Sequence, residues 1–151
     1  MDARLRQIAD KLMKFKSAKD VHPRSVGAAL LPHLFILGIE KHNNAPRLRV
    51  RLIGTSLQQF FGRSLRDRYM EDFIHGPRAA EVIAGFHKVA LSHSPLWMRQ
   101  LVQVSNRVPR FVEGVVVYLP LLDSMAVWSR ANSQPILVSV VQQPRFSRAE
   151  Y

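Results

Sequence analysis

From Arg47 to Leu52 the chain alternates strictly between arginine and an apolar residue: Arg47, Leu48, Arg49, Val50, Arg51, Leu52. A period of two predicts a β-strand with Leu48, Val50 and Leu52 on one face and the arginines on the other. Gly54-Thr55-Ser56 stops it, and a hydroxyl there can cap the free N–H groups of a helix that carries Leu57, Phe60 and Phe61 and closes at Gly62. The apolar stretch 34–41 predicts a preceding strand. Between the two, His42-Asn43-Asn44-Ala45-Pro46 is rich in turn formers, so the pair reads as a hairpin.

The other elements follow from the same patterns. Residues 2–16 read as a helix, because Leu5, Ile8, Ala9, Leu12 and Phe15 recur at steps of three and four between Arg4, Arg6, Lys11 and Lys14. Such a basic amphipathic helix suits its own domain, a partner or a membrane surface. Lys16 to Arg24 is polar and reads as a linker, and 25–31 forms a short helix stopped by Pro32. Short helical pieces fill 57–75. A longer helix starts after Gly76-Pro77 and runs to about Ser92, with Ala79, Val82, Ile83, Phe86, Ala90 and His93 on one face. Glu81, Gly85, Lys88 and Ser92 lie opposite, and His87 is at the edge of the apolar face. Three strands complete the set, at 97–105, 111–119 and 136–141. The last two are apolar on both faces and require cover on both sides. The order implies an α+β fold: a five-stranded antiparallel sheet with helices inserted between strands two and three, plus the N-terminal helix.

Composition narrows the chemistry. Of 151 residues, 47% are hydrophobic, enough for one globular domain with a core. The net charge of +11 divides into +8 over residues 1–78 and +3 beyond, a balance that suits nucleic acid, anionic lipid or an acidic partner. The absence of cysteine excludes disulfides, thiolate metal sites and cysteine nucleophiles. With no spanning apolar run and no secretory pattern, a cytoplasmic location is expected. No GxxxxGK, GxSxG or HExxH motif occurs, and no spaced carboxylate pair supports acid–base work, so no enzymatic activity is expected. The three strand arginines can track phosphates, but no aromatic residue is interleaved with them for base stacking.

The element order, together with particular residues, resembles a PAS domain, and in particular a bacterial, mostly alphaproteobacterial, group of short stand-alone PAS proteins. The residues concerned are Pro23-Arg24, Leu31-Pro32, Arg51-Leu52-Ile53-Gly54-Thr55, Phe61-Gly62-Arg63 with Leu65 and Tyr69, and Leu119-Pro120-Leu121. The resemblance spans about residues 20–142, leaving 1–19 as helix and linker and 143–151 as a tail. Ser64, Leu65, Arg66 and Asp67 stand where the group usually has an acidic residue followed by Leu-Thr-Gly.

The resemblance implies a non-enzymatic sensory or regulatory module that binds a small molecule, a partner protein or both. With no room for an output domain, its signal would pass to a separate protein. A basic adaptor for nucleic acid or an anionic membrane is the alternative. Phe60, Phe61, Ile83, Phe86, His87 and Ala90 are the expected ligand-binding residues, being on helical faces that pack over the sheet. Some PAS domains hold haem through a histidine on the long helix, which draws attention to His87 and His93. Neither has a second clear ligand, so no cofactor is assigned and colourless protein is expected. PAS relatives often dimerise through flanking helices, which implies a homodimer contact at Leu5, Leu12 or Phe15.

Overall fold

The fold was analysed in a computed structural model that describes residues 3–21, 23–62, 64–104, 108, 110–120 and 135–142. Arg63, most of the loop at 106–110, the loop at 123–134 and the tail at 143–151 lie outside the described residues. The chain opens with helix α1 (Ala3–Met13), then α2 (Pro23–Val26), shorter than the helix expected there. The hairpin follows as β1 (Leu34–His42) and β2 (Ala45–Ile53). Next come α3 (Thr55–Phe61), α4 (Met70–Phe73), β3 (Ile74–His75) and the long helix α5 (Ala79–Ser92). Strands β4 (Leu96–Val104), β5 (Arg110–Leu119) and β6 (Ile136–Gln142) close the sheet.

The sheet is antiparallel with the order β2-β1-β6-β5-β4-β3. It has six strands where the pattern predicts five. The extra one, β3, is two residues long, too short to show a period, and pairs Ile74 with Val104 at the sheet's end. In the hairpin, Asn43 and Asn44 both have positive φ, 52° and 65°, matching a tight turn whose twist suits the flanking strands.

One register irregularity changes the reading of β2. Val50 pairs with Leu37 but Leu52 pairs with Ile36, so Arg51 is an extra residue opposite that step. Such a bulge swaps the faces beyond it. Leu48 and Val50 therefore enter the core under the helices, as does Ile53, while Leu52 packs on the opposite side of the sheet. The free edge of β2 is covered by the chain before and within α4. Arg68 O accepts from Val50 N (2.8 Å), Val50 O from Asp67 N (2.8 Å), and the Glu71 carboxylate from Leu48 N (2.7 Å). A paired edge offers no template for another strand.

Two cores result. The inner one lies between the sheet and α3–α5 and includes Leu37, Leu65, Phe73, Phe86 and Val89. The outer one sets α1 against the opposite face, with Leu5, Ile8 and Leu12 on Val115, Val117 and Val138. Each large side chain so buried contributes about 1.5–3 kcal/mol. This is the second cover that strands apolar on both faces require. On α5 the buried residues are Val82, Phe86, Val89 and Ala90. Gly85 does not face away: a Cβ there would stand 3.0 Å from Met98 on β4, so this helix turn lies close to the sheet. Gly62 ends α3 at φ 77°, its N–H reaching Gln58 O and Gln59 O. Gly62→Ala is expected to cost about 1 kcal/mol, because a Cβ is disfavoured in that left-handed conformation; equilibrium urea unfolding measures it.

Candidate functional site

The inner core is not completely filled. A cavity of about 60 Å³ lies between the helices and the sheet. Leu57, Phe60 and Phe61 of α3 form one wall, with Met70 and Ile74 beside them and Val82 and Phe86 from α5. Phe35, Met98, Val116 and Val141 contribute from the sheet. The aromatic wall is internally braced. Phe61 stacks on Phe35 (centroids 6.2 Å apart) and meets Phe73 and Phe60 edge-on at 5.5 and 5.2 Å.

Two polar side chains share this face by register. Gln100 pairs with Val112 and is half-buried; Ser139 pairs with both Phe35 and Val116 and is fully buried. The Ser139 hydroxyl has no hydrogen-bond partner. A buried hydroxyl left unpaired costs free energy; the cavity surface itself is wholly apolar, so this oxygen lies behind it.

Of the residues expected from the helical faces, the structure brings Phe60, Phe61 and Phe86 to the cavity wall. Ile83 and Ala90 are packed in the helix–sheet core but do not line it. His87 does not line it either: its Nε2 lies 3.6 Å from Glu71 Oε1, at the edge of β2. His93 is the left-handed cap of α5, exposed, with its ring stacked on Tyr118 at 3.7 Å. Ser139, Gln100, Met98 and Val116 escaped the sequence reading. Ser139 carried a visible signal as the lone hydroxyl in the run Ile-Leu-Val-Ser-Val-Val.

Leu5 and Leu12, the expected dimer contacts, have no exposed surface because α1 is docked on its own sheet; Phe15 is half-buried against the same cluster. Leu5 and Leu12 are therefore taken up within the chain, while Phe15 keeps part of its surface. The outer face retains other exposed aromatics, Trp97 and Phe111.

The arginines of β2 form a separate polar cluster. Arg49 Nε lies 2.7 Å from Glu40, and Arg49 Nη2 donates to Tyr69 Oη, which in turn donates to Glu40 Oε1 (2.8 Å). Arg47 donates to Asp72 (3.1 Å) and lies 3.5 Å from Glu71, with its guanidinium 4.3 Å from the Tyr69 ring centre. Arg51 stands between Glu40 and Asp67 at 3.7 and 3.9 Å. Burial raises the pKa of Glu40, but hydrogen bonds from Tyr69, His42 and Arg49, with the charge of Arg49, outweigh it and bring the group down to about 2. With these carboxylates engaged, the arginines tie the hairpin to the chain around α4. The three arginines that could track phosphates are half-buried and engaged in an ion-pair network within the chain. Among the described residues no cluster of three or more His, Asp or Glu side chains is arranged to hold a metal ion.

A curled antiparallel sheet with helices on its inner face and a small cavity between them is the architecture of a sensory domain. Residues 10–131 match the family model of a PAS domain, and the chain belongs to that family. The fold is shared with solved light-oxygen-voltage domains. A fungal photoreceptor domain of this kind is 12% identical, with 90% of this chain and 92% of that one covered and a TM-score of 0.55. A light-oxygen-voltage domain studied with a flavin analogue is 10% identical over 78% of each chain (TM-score 0.53). The light-state domain of the blue-light photoreceptor Aureochrome1 is 12% identical over 81% and 87% (TM-score 0.52). No curated protein matches the chain. These likenesses extend to the fold. The chain has no cysteine to form a flavin adduct, and the cavity of about 60 Å³ is small beside a three-ring system with its phosphate chain. Among the described residues no helix is long and apolar enough to cross a membrane.

Proposed function

We propose that this PAS domain is a non-enzymatic sensory and regulatory module of the cytoplasm. It binds a small molecule in the cavity behind α3–α5 and passes the occupied state to a separate partner protein. The observation that carries this reading is the cavity between helices and sheet, whose reachable wall is wholly apolar. The sheet offers a route outward. Val116 lines the cavity, while its neighbours Val115 and Val117 pack in the outer cluster with α1. A guest that shifts β5 by a few tenths of an ångström is felt by that helix, since packed interiors transmit strain.

Hydrogen exchange with and without a saturating small apolar probe such as phenol tests this. Protection is expected to rise in α3 and α5 and to change in α1 as well. A change confined to the cavity wall would leave the module without an output.

Self-association belongs to the same reading. With the α1 stripe buried, the surface for a second copy is the outer sheet face around Trp97 and Phe111, 37% and 52% exposed. Sedimentation of the Trp97→Glu, Phe111→Glu variant is expected to give monomers where the unaltered chain gives dimers. A dimer that survives both changes places the contact elsewhere.

A further inference from the structure

We propose that the guest of this cavity is a hydrocarbon-like molecule of roughly half a dozen non-hydrogen atoms with no hydrogen-bonding group, such as a single unsubstituted aromatic ring. The inference names the ligand class and rests on the reading of the cavity as a ligand site.

The wall decides the chemistry. Gln100, Glu113 and Ser139 border the cavity, yet its reachable surface is apolar throughout, so none of the three presents an oxygen or nitrogen to a guest. Glu113 stands opposite Arg99 and alternates along β5 with the inward Val112 and Val116, so its carboxylate belongs to the other face of the sheet. Ser139 lies between Phe35 and Val116, and its Oγ is inaccessible. The backbone offers nothing either: β5 is paired along both edges, with β4 and β6, so its N–H and C=O groups are spent in the ladder. A polar group on a guest therefore loses its water and gains no partner, which weakens binding by about tenfold or more. A charged group is excluded more strongly, since among the described residues no lysine or arginine lines the space. The same wall excludes water, which needs about two to four polar partners to stay in a buried site, so the guest enters a dry space. Size and shape narrow the class. A water needs about 10–15 Å³ of such space, so about 60 Å³ admits on the order of four to six water-sized groups. The rings of Phe60, Phe61 and Phe86 favour a flat guest, and the flexible thioether chains of Met70 and Met98 adjust to its outline.

Calorimetric titration of the whole chain with benzene and with pyridine, at mildly alkaline pH where both are uncharged, separates the outcomes. The two rings have the same size and shape, and pyridine adds one hydrogen-bond acceptor. Benzene is expected to bind at one site and at least about tenfold more tightly than pyridine. Ser139→Ala is expected to leave both affinities unchanged, because the hydroxyl lies behind the wall. Val116→Phe places a ring in the cavity and is expected to abolish benzene binding. The wild-type benzene-to-pyridine ratio stands as a test without any variant. Equal affinities, tighter binding of pyridine, or a pyridine affinity that falls in Ser139→Ala would overturn the apolar class while leaving a ligand-binding sensor. Benzene binding that survives in a folded Val116→Phe variant would overturn the assignment to this cavity. Failure of both probes to bind would overturn the inference together with the reading beneath it.

Discussion

Leu12→Asp is expected to destabilise the domain by at least about 4 kcal/mol. Leu12 has no exposed surface and packs with Leu5 and Ile8 on Val115, Val117 and Val138. Truncating a buried leucine costs about 2–5 kcal/mol through lost transfer energy and the cavity left behind. A carboxylate in the same place must be desolvated or protonated, which adds to that cost. At this chain length the loss corresponds to roughly 8–16 °C in melting temperature. Because the contact is within one chain, the loss is expected to be independent of protein concentration, whereas a loss through a dimer contact scales with it. Met13→Asp is the control: Met13 is adjacent but 52% exposed, and the change is expected to stay within about 0.5 kcal/mol. Urea unfolding of both variants at two protein concentrations makes the comparison. An unperturbed Leu12→Asp variant would mean that α1 is not docked on this sheet.

Glu40 is expected to give the domain a specific weakness to acid. Its side chain is only 16% exposed, and its pKa lies at about 2 where an ordinary glutamate has 4.5. A group whose folded pKa is depressed stabilises the fold at pH values above its unfolded pKa, and loses that contribution as pH falls through the folded one. The contribution of Glu40 is therefore present above about pH 4.5 and disappears between there and about pH 2. The shift is worth on the order of 3 kcal/mol. Glu40→Gln is expected to remove this amount at neutral pH, since Arg49 and Tyr69 then face an uncharged partner, and to flatten the acid limb of the stability curve. Urea midpoints from pH 2 to 7 for both chains measure it. Parallel curves would show that another carboxylate carries the acid dependence.

Local periodicity disclosed much of this fold. The arginine–apolar alternation of β2, the paired asparagines of the turn and the stripe of α1 are written in consecutive residues, and the hairpin and the two covering layers follow from them. What the chain conceals depends on register. The bulge at Arg51 has no composition of its own, yet it decides that Leu52 belongs to the outer layer. The cavity divides in the same way. Phe60, Phe61 and Phe86 were legible because a helix declares its apolar face. Met98, Val116 and Ser139 were not, because strands apolar on both faces do not reveal which side each residue takes. His87 was placed by helical spacing at the edge of the apolar face. Only the tertiary arrangement shows that the group before it is Glu71, at 3.6 Å, and not the cavity.

Diffraction from a crystal of the protein pressurised with xenon shows whether an open apolar site lies behind α3–α5. Xenon enters dry apolar cavities and scatters strongly. A single strong xenon peak bounded by Phe61, Phe86, Val116 and Ser139 is the expected result. Side chains closed over that space, with no xenon among them, would mean that the domain has no ligand site there.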